Sequence, residues 1–187
     1  MSMAASPPAF KTGSHLGPIV VMGVSGCGKT SVGKLLASHL GYRFIEGDSR
    51  HPVRNIEKMT AGVALEDEDR WPWLQTLGDE LAVVEETVIS CSALKRSYRD
   101  LLRTIAGRPI SFVFLHGSRS TLAARMSGRK GHYMPPGLLD SQLATLELPV
   151  EERDVVAIEV DRPLERIVSI AMAGLASLAN RQHAQSR

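Results

Sequence analysis

Apolar residues along this chain fall into short continuous runs, separated by longer stretches in which they recur at helical spacing. Residues 18–24 are an apolar run that abuts glycine and predict a buried strand. Over Lys29–Leu40, Val32, Leu35, Leu36 and Leu40 share one face and Gly41 supplies a stop, which predicts a helix. Residues 42–46 predict a second strand, closed by Gly47-Asp48. Leu74, Leu77, Leu81 and Val84 form the inner stripe of a longer helix, and Thr87–Cys91 a third strand. Residues 97–105 read as a helix, and residues 110–116, rich in β-branched and aromatic side chains, as a fourth strand. Residues 122–128 are helical and residues 155–160 make a fifth strand. Pro163 then opens a last helix with Leu164, Ile167, Ala171, Leu175 and Leu178 facing inward.

Strands alternating with helices predict an α/β fold: a five-stranded parallel sheet covered on both faces, three layers in all. Ligands in such sheets bind beyond the carboxyl ends of the strands. The loops to search therefore follow Val24, Glu46, Cys91, His116 and Val160.

Length and composition narrow this further. The 187 residues fit one domain over residues 18–180, with tails over 1–17 and 181–187. Residues 1–17 read as a frayed tail with no long apolar stretch, and no run approaches the roughly 20 residues of a membrane span. Net charge is +2, from 22 basic and 20 acidic residues. That balance supplies no global field for nucleic acid, so any anion site must be local. Cys27 and Cys91 make no disulfide framework, which predicts a reduced, cytoplasmic setting.

The first loop, Gly23 to Thr30, reads G-V-S-G-C-G-K-T and matches the phosphate-loop pattern, with a strand before it and a helix after. Its glycines let backbone N–H groups turn toward phosphate oxygens, and the helix start adds a positive dipole end. Gly23, Val24, Ser25, Gly26, Cys27, Gly28, Lys29, Thr30 and Ser31 form the expected nucleotide-binding set, joined by Arg125 and by Asp161 in the fifth loop. Lys29 is expected at the β- and γ-phosphates of ATP, and the Thr30 hydroxyl on Mg²⁺. Cys27 is read as a small filler or, alternatively, as a thiol acidified by the helix start.

The second loop, Gly47 to Met59, reads G-D-S-R-H-P-V-R-N-I-E-K-M. Asp48 ends the second strand, and the strand ends at Gly23 and Asp48 are expected to be neighbours. Asp48 is expected either to accept an acceptor hydroxyl's proton or to hold metal-bound water; helix capping is compatible with both. His51, Arg54 and Lys58, spaced three and four apart, would share a helix face whose donors suit a carboxylate with hydroxyls. The third loop, C-S-A-L-K-R-S-Y-R-D, adds Ser92, Lys95 and Arg99, with Arg99 completing an anion clamp. After the fourth strand, Arg125, Arg129 and Lys130 precede a glycine- and proline-rich stretch containing His132, which reads as a helical lid over about residues 125–145. Closing it would exclude water and bring Arg125 and Arg129 to the transferring phosphoryl group, with Gln142 and Glu147 securing the closed lid.

Together these motifs, with L-E-D-E-D-R-W-P-W-L over residues 65–74 and R-K-G-H-Y-M over residues 129–134, resemble bacterial-type gluconokinase over about residues 19–170. The resemblance implies a P-loop kinase fold with a small substrate-binding region, about residues 48–75, and a lid. It implies ATP-dependent, Mg²⁺-requiring conversion of gluconate to 6-phosphogluconate in sugar-acid catabolism, and often a homodimer. Neither a nucleic-acid nor a membrane partner is expected. Asp48, His51, Arg54, Lys58, Ser92, Lys95, Arg99 and His132 are the expected acceptor contacts. Asp69 and Arg70 would pair while Trp71 and Trp73 pack the long helix. Shikimate kinase is the nearest rival, but its D-x-D after the second strand and glycine triplet after the third are replaced by Gly47-Asp48-Ser49 and Cys91-Ser92-Ala93. A non-catalytic nucleotide-binding regulator would need only the phosphate loop.

Overall fold

A computed structural model describes residues 16–127 and 136–185. Strand β1 (Ile19–Met22) runs through the phosphate loop into α1 (Lys29–Leu40). β2 (Arg43–Glu46) leads through a 3₁₀ turn (Gly47–Arg50) to α2 (Val53–Thr60) and α3 (Asp67–Val83). β3 (Thr87–Cys91), α4 (Arg96–Ala106), β4 (Ser111–His116), α5 (Arg119–Ser127), α6 (Pro136–Thr145), β5 (Val155–Glu159) and α7 (Leu164–Gln185) complete the chain.

The five strands form one parallel sheet in the order β2-β3-β1-β4-β5. β1 and β3 are buried along their whole length, as the central strands of a sheet covered on both faces must be. Chain direction diverges at β1: the next strand in sequence lies to one side and β4 to the other, so the carboxyl ends of β1 and β3 open a crevice. Gly41 ends α1 in the left-handed conformation, its N–H bonded to the Ala37 carbonyl. α3 opens with a capping box between Glu66 and Asp69, and three acidic residues in its first turn favour the positive helix end.

Three departures from the sequence reading concern the frame. β2 does not adjoin β1; β3 lies between them, so the strand ends at Gly23 and Asp48 are not neighbours. A separate helix, α6, occupies residues read only as lid, and its Leu138 and Leu139 are buried. α7 continues through Gln185, because no glycine or proline follows Asn180 to stop the helix, which extends as an exposed polar turn past the apolar stripe.

Candidate active site

The phosphate loop curls tightly over the end of β1. At Gly23 φ is +138°, and a Cβ would stand 2.3 Å from the Leu115 carbonyl oxygen, so only glycine fits. The Gly23 N–H donates to the Ser92 carbonyl at 3.2 Å, which makes the loop after β3 the bridge between the first two loops. Lys29 Nζ donates back to the Val24 carbonyl at 3.1 Å. Cys27 is fully buried, with Sγ 3.0 Å from the position of a Gly23 Cβ, and serves as filler. Cys91 is equally buried, which pushes its thiol up to about 12.

Asp48 is set by a second close approach. A Cβ on Gly47 would lie 1.9 Å from the Ser90 carbonyl oxygen, so the chain passes flat against β3 there. The Ser90 hydroxyl takes the Gly47 N–H at 3.1 Å and itself donates to Glu46, while Trp73 Nε1 donates to the Gly47 carbonyl at 2.8 Å. These contacts place Asp48 in the lining of an open cleft. Ser25, Lys29 and Ser92 line it together with Asp48, His51 and Arg70. Met59, Val63, Ala64 and Leu65 add an apolar part to the lining, and α6 contributes Leu138, Ser141 and Gln142.

His51 is 8% exposed and stacks on Trp73, ring centroids 4.0 Å apart and planes at 16°. The Asn55 amide nitrogen lies 2.7 Å from the Asp69 carbonyl and 3.2 Å from His51 Nδ1. An amide nitrogen only donates, so Nδ1 is the acceptor and the neutral ring carries its proton on Nε2. Burial lowers the His51 pKa to about 4; Asp48 opposes that shift and Arg70 adds to it. A folded pKa below the usual 6.5 means that the unfolded chain binds the proton first. Stability is therefore complete above about pH 6.5 and is lost as pH falls toward 4. Denaturant unfolding is expected to show about 2 kcal/mol of His51-dependent loss between pH 7 and 4.5, absent in His51→Gln.

Arg70 is the residue that sequence reasoning left without chemistry. It is 8% exposed and makes no hydrogen bond or ion pair among the described residues, lying 5.9 Å from the Tyr98 ring centroid. Its expected partner Asp69 is engaged elsewhere, by Lys58 at 2.6 Å and the Glu66 N–H at 3.0 Å. The Lys58 hydrogen bond, foremost, holds the Asp69 carboxyl below its usual range. E-x-x-D at residues 66–69 was the available signal: a capping box consumes Asp69 and leaves the next side chain, Arg70, uncompensated.

Four expected acceptor contacts are directed away from the cleft. Arg99, 1% exposed, is locked between Glu152 at 2.6 Å and the carbonyls of Ala93 and Leu94 at 2.9 and 3.1 Å. Lys95 pairs with Asp67 at 2.7 Å, and Lys58 with Asp69. Arg54 is exposed on α2, and His51 precedes that helix, so the predicted common face does not form. Arg125 donates to the Val160 carbonyl at 2.5 Å, beside Gly28 on the nucleotide side, and Asp161 is exposed in the adjoining loop. Glu147 accepts the Arg96 N–H at 2.6 Å and so caps α4. Arg129, Lys130 and His132 lie outside the described residues.

The sequence profile of the shikimate kinase family matches residues 25–164. A crystal structure of a gluconokinase from Sinorhizobium meliloti 1021 superposes with TM-score 0.87 at 57% identity, covering 92% of this chain and 99% of that one. The gluconokinase of Gluconobacter oxydans is 47% identical over 148 residues, 77% of this chain and 83% of its own length. The thermoresistant gluconokinase of Escherichia coli is 45% identical over 156 residues, covering 80% and 88% respectively.

Proposed function

From the premise that this chain belongs to the shikimate kinase family, and within it to the gluconokinases, we propose that it transfers the γ-phosphate of ATP to the 6-hydroxyl of gluconate. One observation carries the reading: a phosphate loop, an open carboxylate at Asp48 and an Arg70 guanidinium that makes no hydrogen bond among the described residues share one cleft. The three match a triphosphate, a hydroxyl and a carboxylate. Shikimate kinase chemistry is the second reading for a family of this kind, but the loops after β2 and β3 lack its D-x-D and glycine triplet.

Backbone N–H groups of Gly26 and of residues 28–31, those of Gly23, Ser25 and Cys27 being bonded within the protein, hold the phosphates, with Lys29 leaving the Val24 carbonyl to meet the γ-phosphate. Arg70, a planar fork with no hydrogen bond among the described residues, takes the gluconate carboxylate, and His51 Nε2–H and Ser92 take its hydroxyls. Asp48 aligns the attacking hydroxyl and receives its proton as the O–P bond forms and ADP leaves. The Asp48 carboxylate oxygens accept no hydrogen bond among the described residues; they and the Thr30 hydroxyl at the start of α1 are hard oxygen donors of the kind that would hold Mg²⁺. Bound there, Mg²⁺ would neutralise charge on the phosphate oxygens. Arg125, at the nucleotide edge, is read as a phosphoryl or adenine contact, and Arg129 and His132 as lid donors.

Among the described residues no helix is long and apolar enough to cross a membrane. We read the protein as a cytoplasmic enzyme with a small-molecule acceptor, and as a homodimer.

ADP release measured across a panel of aldonic acids, with shikimate included, tests the reaction. Gluconate should give by far the highest kcat/KM; equal or absent turnover defeats the proposal. Lys29→Ala should lower kcat about a hundredfold with an unchanged melting curve, because Lys29 holds only its own loop in the free protein. Near-normal turnover would remove Lys29 from the phosphoryl site.

A further inference from the structure

The cleft that Asp48 lines is also lined by α6, a helix far from the phosphate loop in sequence. Leu138, Ser141 and Gln142 are spaced three and four apart and turn one face of it to the cleft. Buried Leu139 fixes α6 to the core, and the Arg119–Asp140 ion pair at 2.6 Å ties it to α5. Across 117 residues, the Ser25 N–H of the phosphate loop donates to the Gln142 side-chain oxygen at 2.7 Å. A backbone N–H can only donate, so the atom facing it must be Oε1 rather than Nε2. The carboxamide orientation is thereby fixed. Its NH₂ group, with two donors, has no acceptor among the described residues, and Gln142 borders the same cleft as Asp48.

We propose that Gln142 is a specificity-determining residue for the acceptor, donating from Nε2 to the hydroxyl next to the one that is phosphorylated. This rests on the proposed kinase reaction. The position follows from the anchor. Gln142 is tied to Ser25, within the loop that holds the triphosphate, so it stands at the transfer end of the cleft, while Arg70 belongs to α3. In a linear polyhydroxy acid the group one carbon from the reacting terminal hydroxyl is itself a hydroxyl, with an oxygen free to accept. The preferred acceptors are thus sugar acids ending in a vicinal diol, and a chain lacking that second hydroxyl leaves the Gln142 donors unmet.

Gluconate and 5-deoxygluconate are compared on the wild type and on Gln142→Met, which keeps the bulk and removes both donors. Wild type should prefer gluconate about tenfold in kcat/KM, and Gln142→Met should show no preference. Loss of the Ser25 hydrogen bond in the variant acts on ATP affinity, read from a fluorescent analogue, and on the melting temperature equally for both acceptors, so the comparison between them is unaffected. Equal kcat/KM for both acceptors on the wild type overturns the inference without any variant, as does a preference that survives in Gln142→Met. Tighter ATP binding by the variant with unaltered acceptor kinetics also overturns it, since Gln142 would then be an occupant that the nucleotide displaces. Wild-type failure to turn over gluconate defeats the proposed reaction and this inference together, whereas turnover without discrimination defeats the inference alone.

Discussion

Arg70→Met is expected to lower kcat/KM for gluconate about 10³-fold while leaving the melting temperature unchanged or raised. The two halves of this result have one cause. Arg70 is 8% exposed and hydrogen-bonds to no carboxylate or carbonyl among the described residues; Asp67 acts on it only through space. Arg70 makes no hydrogen bond that a substitution would break among the described residues, so an apolar residue of similar length leaves stability intact or gains from its packing. In the complex the same guanidinium would meet the acceptor carboxylate, and truncating one side of a desolvated charge pair costs about 2–5 kcal/mol of binding. The loss should fall on the gluconate KM, with the ATP KM within a few-fold of wild type. Unfolding by heat and steady-state kinetics on the two substrates check both halves; a destabilised variant with an intact gluconate KM would make Arg70 structural.

Arg99→Met is expected to do the reverse. Its guanidinium is enclosed by Glu152 and two carbonyls, and Arg103 adds a second cation on Glu152 at 2.6 Å and a bond to Asp154 at 2.8 Å. Burial works against the charge of Glu152, but the hydrogen bonds from Arg99 and Arg103 outweigh it and hold that carboxyl below its usual range. Removing Arg99 strands part of this carboxylate in the interior and frees the carbonyls of Ala93 and Leu94. Such a broken buried pair costs about 3–5 kcal/mol. For a chain of this size that is a drop of about 10 °C in melting temperature. Ala93 sits at φ +42°, next to Ser92, whose carbonyl receives the Gly23 N–H, so the loop is held in its strained form partly by Arg99. A variant melting like wild type would show that the network contributes little.

These two arginines mark the boundary of what a linear sequence can report. The spacing of Leu, Val and Ile along the chain determined every strand and helix of the sheet core to within a few residues, because periodicity and glycine stops are local properties. The phosphate loop was legible for the same reason: eight consecutive residues carry all its geometry. Sheet order was not, since whether β3 or β1 lies beside β2 is settled by side-chain packing between segments far apart in sequence. The acceptor side was legible only in part. Asp48, His51 and Ser92 reach the cleft from the loops where strand ends predicted them. Arg54, Lys58, Lys95 and Arg99 looked equivalent to Arg70 or better by spacing, yet Lys58, Lys95 and Arg99 find counter-charges and Arg54 stays at the surface. A charge binds a ligand when no protein group of opposite sign comes within a few ångströms, and that depends on through-space neighbours such as Glu152, 53 residues from Arg99. The sequence by itself determined most of the elements and the phosphate site; the tertiary structure decided which cation of the cleft was left without a hydrogen-bonded partner among the described residues, and thereby where an anionic acceptor would go.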